Sequence, residues 1–205
     1  LAAPPTLADL PGTRKLLRVD EIVVTQAPKA EDAVLSCLQG GCLPAGVDTY
    51  DKLIEFIAGY GCERDNNGNV IGYAGTDGWW YEFPETGERN LGQASLLGGL
   101  LTYTTYQPFD DLCRPEGLAF LYGLYYQTGT AWHVPVFLGD NGDPPEVESR
   151  IEIGRGLATT PNLHVGRQDG ATAFVQTSTG AIVEIKQPNL PIKAYKTGRV
   201  TWRTD

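Results

Sequence analysis

Short apolar runs separated by glycine turns recur along this 205-residue chain. The clearest stretch is Thr86–Trp132, whose paired glycines accept the positive φ of tight hairpin turns and whose flanking aliphatic and aromatic residues favour strands. The three runs in it cover Leu96–Leu97, Leu100–Tyr106 and Leu118–Tyr126. The pattern predicts three antiparallel strands, with the aromatic segment after Thr128–Gly129 forming the outer edge of a four-stranded sheet.

A second copy of this pattern lies near the C-terminus. Its predicted strands are Asn162–Val165, Ala171–Thr177 and Ala181–Lys186, with glycine turns at Arg167–Gly170 and Ser178–Gly180 and a final turn and strand at Lys196–Trp202. Glycine and aromatic residues that recur at this spacing are typical of propeller blades. Since a closed ring needs about four to eight blades, we predict a mainly β fold that contains part of a β-propeller.

Three further strands are predicted upstream of these copies, at the end of Thr13–Thr25 and over Val70–Tyr73 and Trp79–Phe83. One helix is also predicted, beginning at Asp48–Asp51, where acidic side chains meet the positive end of a helix. Its apolar face comprises Tyr50, Leu53, Ile54 and Ile57, and Gly59 or Gly61 supplies the stop. This apolar face indicates packing on a sheet rather than a partner-binding surface.

Composition and charge narrow the functional classes. The 25 glycines and 14 prolines indicate many turns, and the formal net charge of −9 argues against nucleic-acid binding, which needs clustered basic residues. No apolar run approaches the roughly 20 residues of a membrane span. A chain that opens at Leu1 without an initiating methionine is expected to be a cleaved product or part of something longer.

The four cysteines are predicted to form disulfides. They are Cys37, Cys42, Cys62 and Cys113. An even count, uneven spacing and no Cys-x-x-Cys pair favour disulfides over free thiols, and both over a metal site. Four cysteines allow three pairings, of which we favour Cys37–Cys42, closing a small loop, with Cys62–Cys113 tying the helical insertion to the central loop.

The chain is predicted to be a single unit with four parts. Residues 1–33 form an extended N-terminal segment and a strand, 34–64 a helical insertion that carries cysteines, 65–132 a blade, and 133–205 a final blade and closing strand.

Several stretches resemble the C-terminal portion of the PilY-type (PilY/PilC) proteins of type IV pili. They are GERNLGQASLLGGLLTYTTYQPFDDLC, LAFLYGLYYQTGTAW, GRGLATTPNLHVG and FVQTSTGAIVEI. The resemblance extends from about Thr13 to Trp202. It implies the last blades of a modified propeller with four-stranded antiparallel sheets, similar to those of quinoprotein dehydrogenases.

The resemblance also implies a location and partners. These proteins act at the pilus tip and in pilus assembly, so an extracellular or cell-surface location, on the outer surface or in the periplasm of a bacterium, is expected. The expected partners are the preceding part of the same propeller or another chain that covers open sheet edges, minor pilins, and a host or abiotic surface. The function implied is non-enzymatic, in pilus biogenesis and adhesion.

Calcium is the cofactor to consider, because PilY-type proteins carry an aspartate-rich calcium loop in an earlier blade. The nearest approach here is Asp65-x-Asn67-x-Asn69, which lacks the glycine and the glutamate of a calcium loop and suffices as a hairpin turn. The resemblance therefore implies no cofactor in this chain and leaves calcium to the missing part of the propeller.

Two alternative functions remain open. A fragment of a quinoprotein-like dehydrogenase would use Trp79–Trp80 as a stacking surface, although packing in the core is the commoner use of such residues. A free-standing adhesin or carbohydrate-binding module would use exposed aromatics such as Trp79 and Tyr106. Neither His133 nor His164 lies in a metal or triad motif. The three glutamates Glu82, Glu85 and Glu88 lie across a proline-broken loop and do not support acid–base pairing.

Overall fold

The computed structural model of the chain describes residues 16–58, 61–64, 66–67, 70–74, 76, 78–110, 116–137, 146–165 and 170–192. These residues form one α-helix, α1 (Tyr50–Ala58), a short 3-10 helix (Ala30–Asp32) and fourteen strands. The strands are β1 (Leu17–Arg18), β2 (Ile22–Val24), β3 (Leu35–Cys37), β4 (Gly61–Arg64), β5 (Val70–Ala74), β6 (Trp79–Trp80), β7 (Arg89–Asn90), β8 (Ser95–Leu97), β9 (Leu100–Pro108), β10 (Gly117–Tyr125), β11 (Arg150–Arg155), β12 (Asn162–Val165), β13 (Ala171–Gln176) and β14 (Ile182–Gln187). The prediction of a mainly β protein with antiparallel sheets is confirmed. The sheets of the described residues do not close into a propeller.

The larger sheet is built on the hairpin of β9 and β10, which pair along their whole length. Its order is β11–β10–β9–β7, and β8 also pairs with β9. The three strands predicted for this stretch are confirmed, but the predicted outer edge is wrong. β11 pairs with β10 instead, while Trp132, of the aromatic segment, packs against two hydrophobic clusters. The physical reason is that this segment buries its apolar rings in the core rather than exposing them at a sheet edge.

The smaller sheet has the order β12–β13–β14. All three strands of the second copy are confirmed within one residue of their predicted bounds. The turn over Arg167–Gly170 lies mostly outside the described residues, and the strand predicted at Lys196–Trp202 lies wholly outside them.

The two sheets pack face to face through a shared hydrophobic core. Leu100 and Leu121 of the larger sheet and Ala173 and Val175 of the smaller one are completely buried in one cluster. Side chains alternate between the faces of a strand, so the other face of β9–β10 carries a second set of buried residues, Tyr103, Phe120, Tyr122 and Leu124. Both faces of the larger sheet are therefore covered.

The helical insertion packs beside this core. Tyr50, Leu53 and Ile57 of α1 are buried as predicted, and Ile54 is half-buried. They pack with the β2–β3 hairpin and with Tyr125 of β10. No helix among the described residues has the length and apolarity needed to cross a membrane.

The Cys37–Cys42 disulfide is present and closes the loop that follows β3. The predicted Cys62–Cys113 bond lies outside the described part of the chain, because neither of its side chains is described there.

Candidate binding site

A cavity of about 280 Å³ lies where five segments meet. They are the β1–β2 connection with β2 itself, the disulfide loop, Tyr81 after β6, the Thr130–Ala131 turn, and the residues that lead into β11 together with its first residue. The lining residues are Val19, Asp20, Ile22, Val23, Val24, Leu38, Tyr81, Thr130, Ala131, Val147, Glu148, Ser149 and Arg150. This cavity is the candidate site.

Apolar side chains form part of the cavity wall and part of its rim. Val19, Ile22 and Val24 are almost completely buried, whereas Val23 and Leu38 at the rim are 38% and 69% exposed. Leu38 is held in place because its backbone N–H donates to Glu21 O at 3.0 Å and the neighbouring Cys37–Cys42 disulfide closes its loop. The sequence of the insertion thus supplies an exposed leucine at a fixed position.

Most polar side chains of the wall are already paired within the protein. The Asp20 carboxylate accepts hydrogen bonds from the Arg18 guanidinium at 2.8 to 3.1 Å and from the Glu82 N–H at 3.2 Å. Tyr81 Oη lies 3.3 Å from Ser149 Oγ, and Thr130 Oγ1 lies 2.9 Å from Thr128 Oγ1.

Arg150 connects the cavity to a buried carboxylate, Glu88. The Arg150 guanidinium donates to Glu88 Oε2 at 3.2 Å and to Glu85 Oε1 at 2.7 Å. The Glu88 side chain is completely buried, and its Oε1 accepts from Tyr122 Oη at 2.8 Å and from the Thr105 hydroxyl. Three donors therefore satisfy a charge that would otherwise be costly to bury.

A second ion cluster lies on the β1 side of the cavity. Arg18 forms ion pairs with Asp20, Glu21 and Glu82, at 2.8, 3.5 and 3.0 Å, and its guanidinium carbon lies 5.4 Å from the centre of the Trp80 ring. The hydrogen bond to Asp20 raises the pKa of Arg18 above its usual value. The carboxylates of the two clusters outnumber their guanidinium groups, which gives this side of the molecule a negative potential.

Aromatic rings cover the face of β9–β10 next to the cavity. Tyr103 and Tyr122 stack with centroids 5.0 Å apart, and Tyr81 and Phe83 each lie 5.6 Å from Tyr122. Burial raises the pKa of Tyr122, and its hydrogen bond to the Glu88 carboxylate raises it further. Burial likewise raises the pKa values of Tyr103 and of Tyr50 in α1.

These three tyrosines predict a sharp loss of stability at high pH. Their pKa values are raised by folding, so their stabilising contribution is complete below the unfolded value of about 10 and is lost as the pH rises above it. The free energy of unfolding, measured by denaturant titration at a series of pH values, is expected to be flat up to about pH 9. Above about pH 10 it should fall by up to about 1.4 kcal/mol per pH unit for each of Tyr50, Tyr103 and Tyr122.

Tyr103→Phe is the control variant, because it removes one tyrosine whose pKa is raised by folding, and it should make the decline above about pH 10 shallower by up to about 1.4 kcal/mol per pH unit. Tyrosinate absorbance that develops near pH 10 for all tyrosines while the protein is still folded would contradict this prediction.

No protein-family model, curated protein or solved structure matches this chain.

The three predicted binding aromatics occupy different environments. Trp79 is half-buried and donates its indole N–H to Tyr126 O at 3.0 Å. Its ring packs against two hydrophobic clusters, the one around α1 and the one that contains Tyr103 and Tyr122. Trp80 is 38% exposed beneath Arg18. Tyr106 lies half-buried on β9, beside Gly117 of β10. Within the described residues no ring contact joins Tyr106 to either tryptophan. None of the three aromatics lines the cavity, although Val19 and Tyr81, which are neighbours of Trp80, do.

None of the other candidate residues that the structure describes lines the cavity. Asn67 is in a turn with its side chain exposed, whereas Asp65 and Asn69 lie outside the described residues. Among the described side chains there is no group of three or more His, Cys, Asp or Glu able to hold a metal. His133 is buried, with Nδ1 2.8 Å from Ala27 O, and His164 is exposed on β12.

Sequence reasoning missed the network around Glu88. Glu85 and Glu88 converge on Arg150, which follows more than 60 residues later. The sequence does contain one local indication of this network. Side chains two residues apart in a strand lie on the same face, so the alternation in β9 and β10 places the hydroxyls of Thr105 and Tyr122 on the face that also carries Tyr103 and Phe120. Only the pairing of β9, β10 and β11 shows that a carboxylate and a guanidinium complete that face.

Proposed function

We propose that this chain is a non-enzymatic binding component of a PilY-type protein of type IV pili. It forms the C-terminal portion of the propeller, outside the cell, and supports pilus biogenesis and surface adhesion through contacts with proteins or surfaces.

The observation that carries this proposal is the packing of the two resembling stretches. Each stretch forms an antiparallel sheet with glycine turns, and the two sheets pack face to face through Leu100, Leu121, Ala173 and Val175. Neighbouring blades of a propeller pack in this way. Gly129, in the turn after β10, and Gly180, in the turn between β13 and β14, both adopt positive φ, +69° and +89°.

The outer face of the smaller sheet supports the need for a partner. Phe174 and Ile182 are 36% and 71% exposed on the face that points away from the larger sheet. Among the described strands β14 pairs with β13 alone, so its other edge has no partner within the described residues. Exposed apolar residues and an open edge favour association with another sheet. The preceding part of the same propeller, or a minor pilin, fits this requirement.

The buried polar groups support a structural role rather than a catalytic one. Glu88 already accepts hydrogen bonds from Thr105, Tyr122 and Arg150, and its side chain is fully buried, whereas a general base must reach a substrate proton. The indole of Trp79 is likewise engaged in the fold through its hydrogen bond to Tyr126 O, which favours packing over stacking on a cofactor or sugar.

Antibodies raised against this chain test the proposal directly. Pili sheared from the source bacterium and stained with gold-labelled antibody are expected to carry label at their ends, and the sheared fraction should contain the protein. Cells lacking the gene for it are the control, and they should yield few pili and attach poorly to surfaces. Protein found only in the cytoplasm, with normal pili in the deletion strain, would contradict the proposal.

A further inference from the structure

We propose that the 280 Å³ cavity binds a basic side chain, lysine or arginine, from a partner polypeptide. This inference rests on the proposed binding function and names the partner chemistry of one site. It follows from the size of the cavity, the pairing of its wall groups and the nature of its rim.

The size and the mixed lining of the cavity fit one long side chain with a charged end. Cavities that take drug-sized ligands span about 300–1,000 Å³, so this cavity lies just below that range. Its lining is mixed, with Val23 and Leu38 exposing apolar surface at the rim and Asp20, Glu148 and Arg150 supplying charged groups. The methylene stem of an inserted lysine or arginine gains free energy where it passes the apolar rim, and its charged end reaches the polar part of the cavity.

The charge that remains to be neutralised is negative. Arg150 is occupied by Glu85 and Glu88, and Asp20 by Arg18. Glu148, which is exposed at the cavity, forms no ion pair within the described part of the chain. A cation therefore finds a free carboxylate, whereas an anion finds the Arg150 guanidinium already engaged. The net charge of −9 attracts a basic partner over longer distances as well.

The rim favours a polypeptide over a free amine. Leu38 and Val23 are exposed beside the mouth, and a small amine inside the cavity would leave both in water. A polypeptide that inserts one basic side chain covers these apolar residues with its neighbouring residues, which is the usual arrangement of an interface with a central anchor.

Titration of the purified chain with three capped amino acids tests the charge requirement. The probes are the Nα-acetyl, N-methylamide forms of lysine, norleucine and glutamate, and binding is followed by NMR chemical shifts of Val147–Arg150. The lysine probe is expected to bind with an affinity in the millimolar range that weakens with added salt, and the other two much less. Equal binding of norleucine, or no binding of lysine, would overturn the inference.

Two variants with matched controls locate the binding. Glu148→Gln should weaken lysine binding about two- to fivefold, the range of an exposed ion pair, while Glu146→Gln, an exposed neighbour outside the cavity, should leave it unchanged. Val147→Phe fills the cavity and should abolish binding; unchanged chemical shifts in the β9–β10 core would show that this variant is folded. Equal losses in the two glutamine variants would overturn the assignment of the site.

A peptide distinguishes the source of the basic side chain. A capped peptide with a central lysine between leucines should bind at least about tenfold more tightly than capped lysine, because it also covers Leu38 and Val23. Equal affinities would make this a site for free amines and overturn the polypeptide partner. These outcomes do not depend on pilus labelling, so the cavity and the proposed function can fail separately.

Discussion

Glu88→Ala is expected to lower the free energy of unfolding by about 3–5 kcal/mol. The substitution removes a carboxylate whose side chain is fully buried and leaves the Arg150 guanidinium and the Tyr122 and Thr105 hydroxyls without their shared acceptor. Since small domains are stable by only about 5–15 kcal/mol, this one change removes a large part of the total. Denaturation in urea, followed by circular dichroism, measures it.

Glu85→Ala is the matched control. Glu85 pairs with the same arginine, at 2.7 Å, but its side chain is 38% exposed. Solvent screens such a pair, and its removal should cost no more than about 1 kcal/mol. If both variants lost the same stability, burial of Glu88 would not be the property that matters.

Gly129→Ala is expected to cost about 3 kcal/mol, the second large effect. Gly129 has φ +69°, a region that side-chain-bearing residues rarely adopt, and a Cβ atom there would lie 2.3 Å from the ring of Trp79. Trp79 cannot easily move aside, because its indole N–H is bonded to Tyr126 O and its ring packs in two clusters. Denaturant titration gives the loss of stability, and a shift in tryptophan fluorescence reports displacement of the ring.

Gly180→Ala separates the two causes. Gly180 also follows a threonine at a hairpin turn and has φ +89°, but a Cβ atom there would meet nothing within 4 Å. It should therefore cost only the backbone penalty of about 1–2 kcal/mol and leave the fluorescence unchanged. A loss for Gly129→Ala no larger than that for Gly180→Ala would mean that Trp79 yields to the added methyl group.

The local elements were predictable because their causes are local. The helix has an apolar face at helical spacing, and Tyr50, Leu53 and Ile57 are buried on it. The strands of the two copies are bounded by glycines, and Gly98, Gly99 and Gly180 do adopt the positive φ that tight turns need. Closure of the short loop between Cys37 and Cys42 was also predictable from their separation of five residues.

The partners of the sheet edges were not predictable, because they depend on distant residues. β11 pairs with β10 across a connection that contains residues outside the described part, and the two-residue strand β7 has no strand pattern of its own. Of the strand predicted over Trp79–Phe83, only Trp79–Trp80 forms β-sheet hydrogen bonds, where it pairs in parallel with β1. Beyond that point Tyr81 and Phe83 pack their rings on β9–β10 instead.

The candidate site shows the same division. The aromatic residues singled out in the sequence include Trp79, which the fold uses for packing. The cavity is lined by residues from segments that have no common motif, such as Val19, Leu38, Ala131 and Glu148. No spacing rule connects them, since they meet only after the insertion, the β9–β10 hairpin and β11 have assembled.

The sequence by itself determined the mainly β class, the two groups of three strands joined by glycine turns, the amphipathic helix and the Cys37–Cys42 loop. These features were determined locally because backbone preference and hydrophobic periodicity act over a few residues. Tertiary structure decided which strands share a sheet, that Glu88 is buried against Arg150, and that a cavity opens beside Glu148. Those features depend on contacts between residues that are far apart in the chain, and no local sequence pattern encodes the free energies of such contacts.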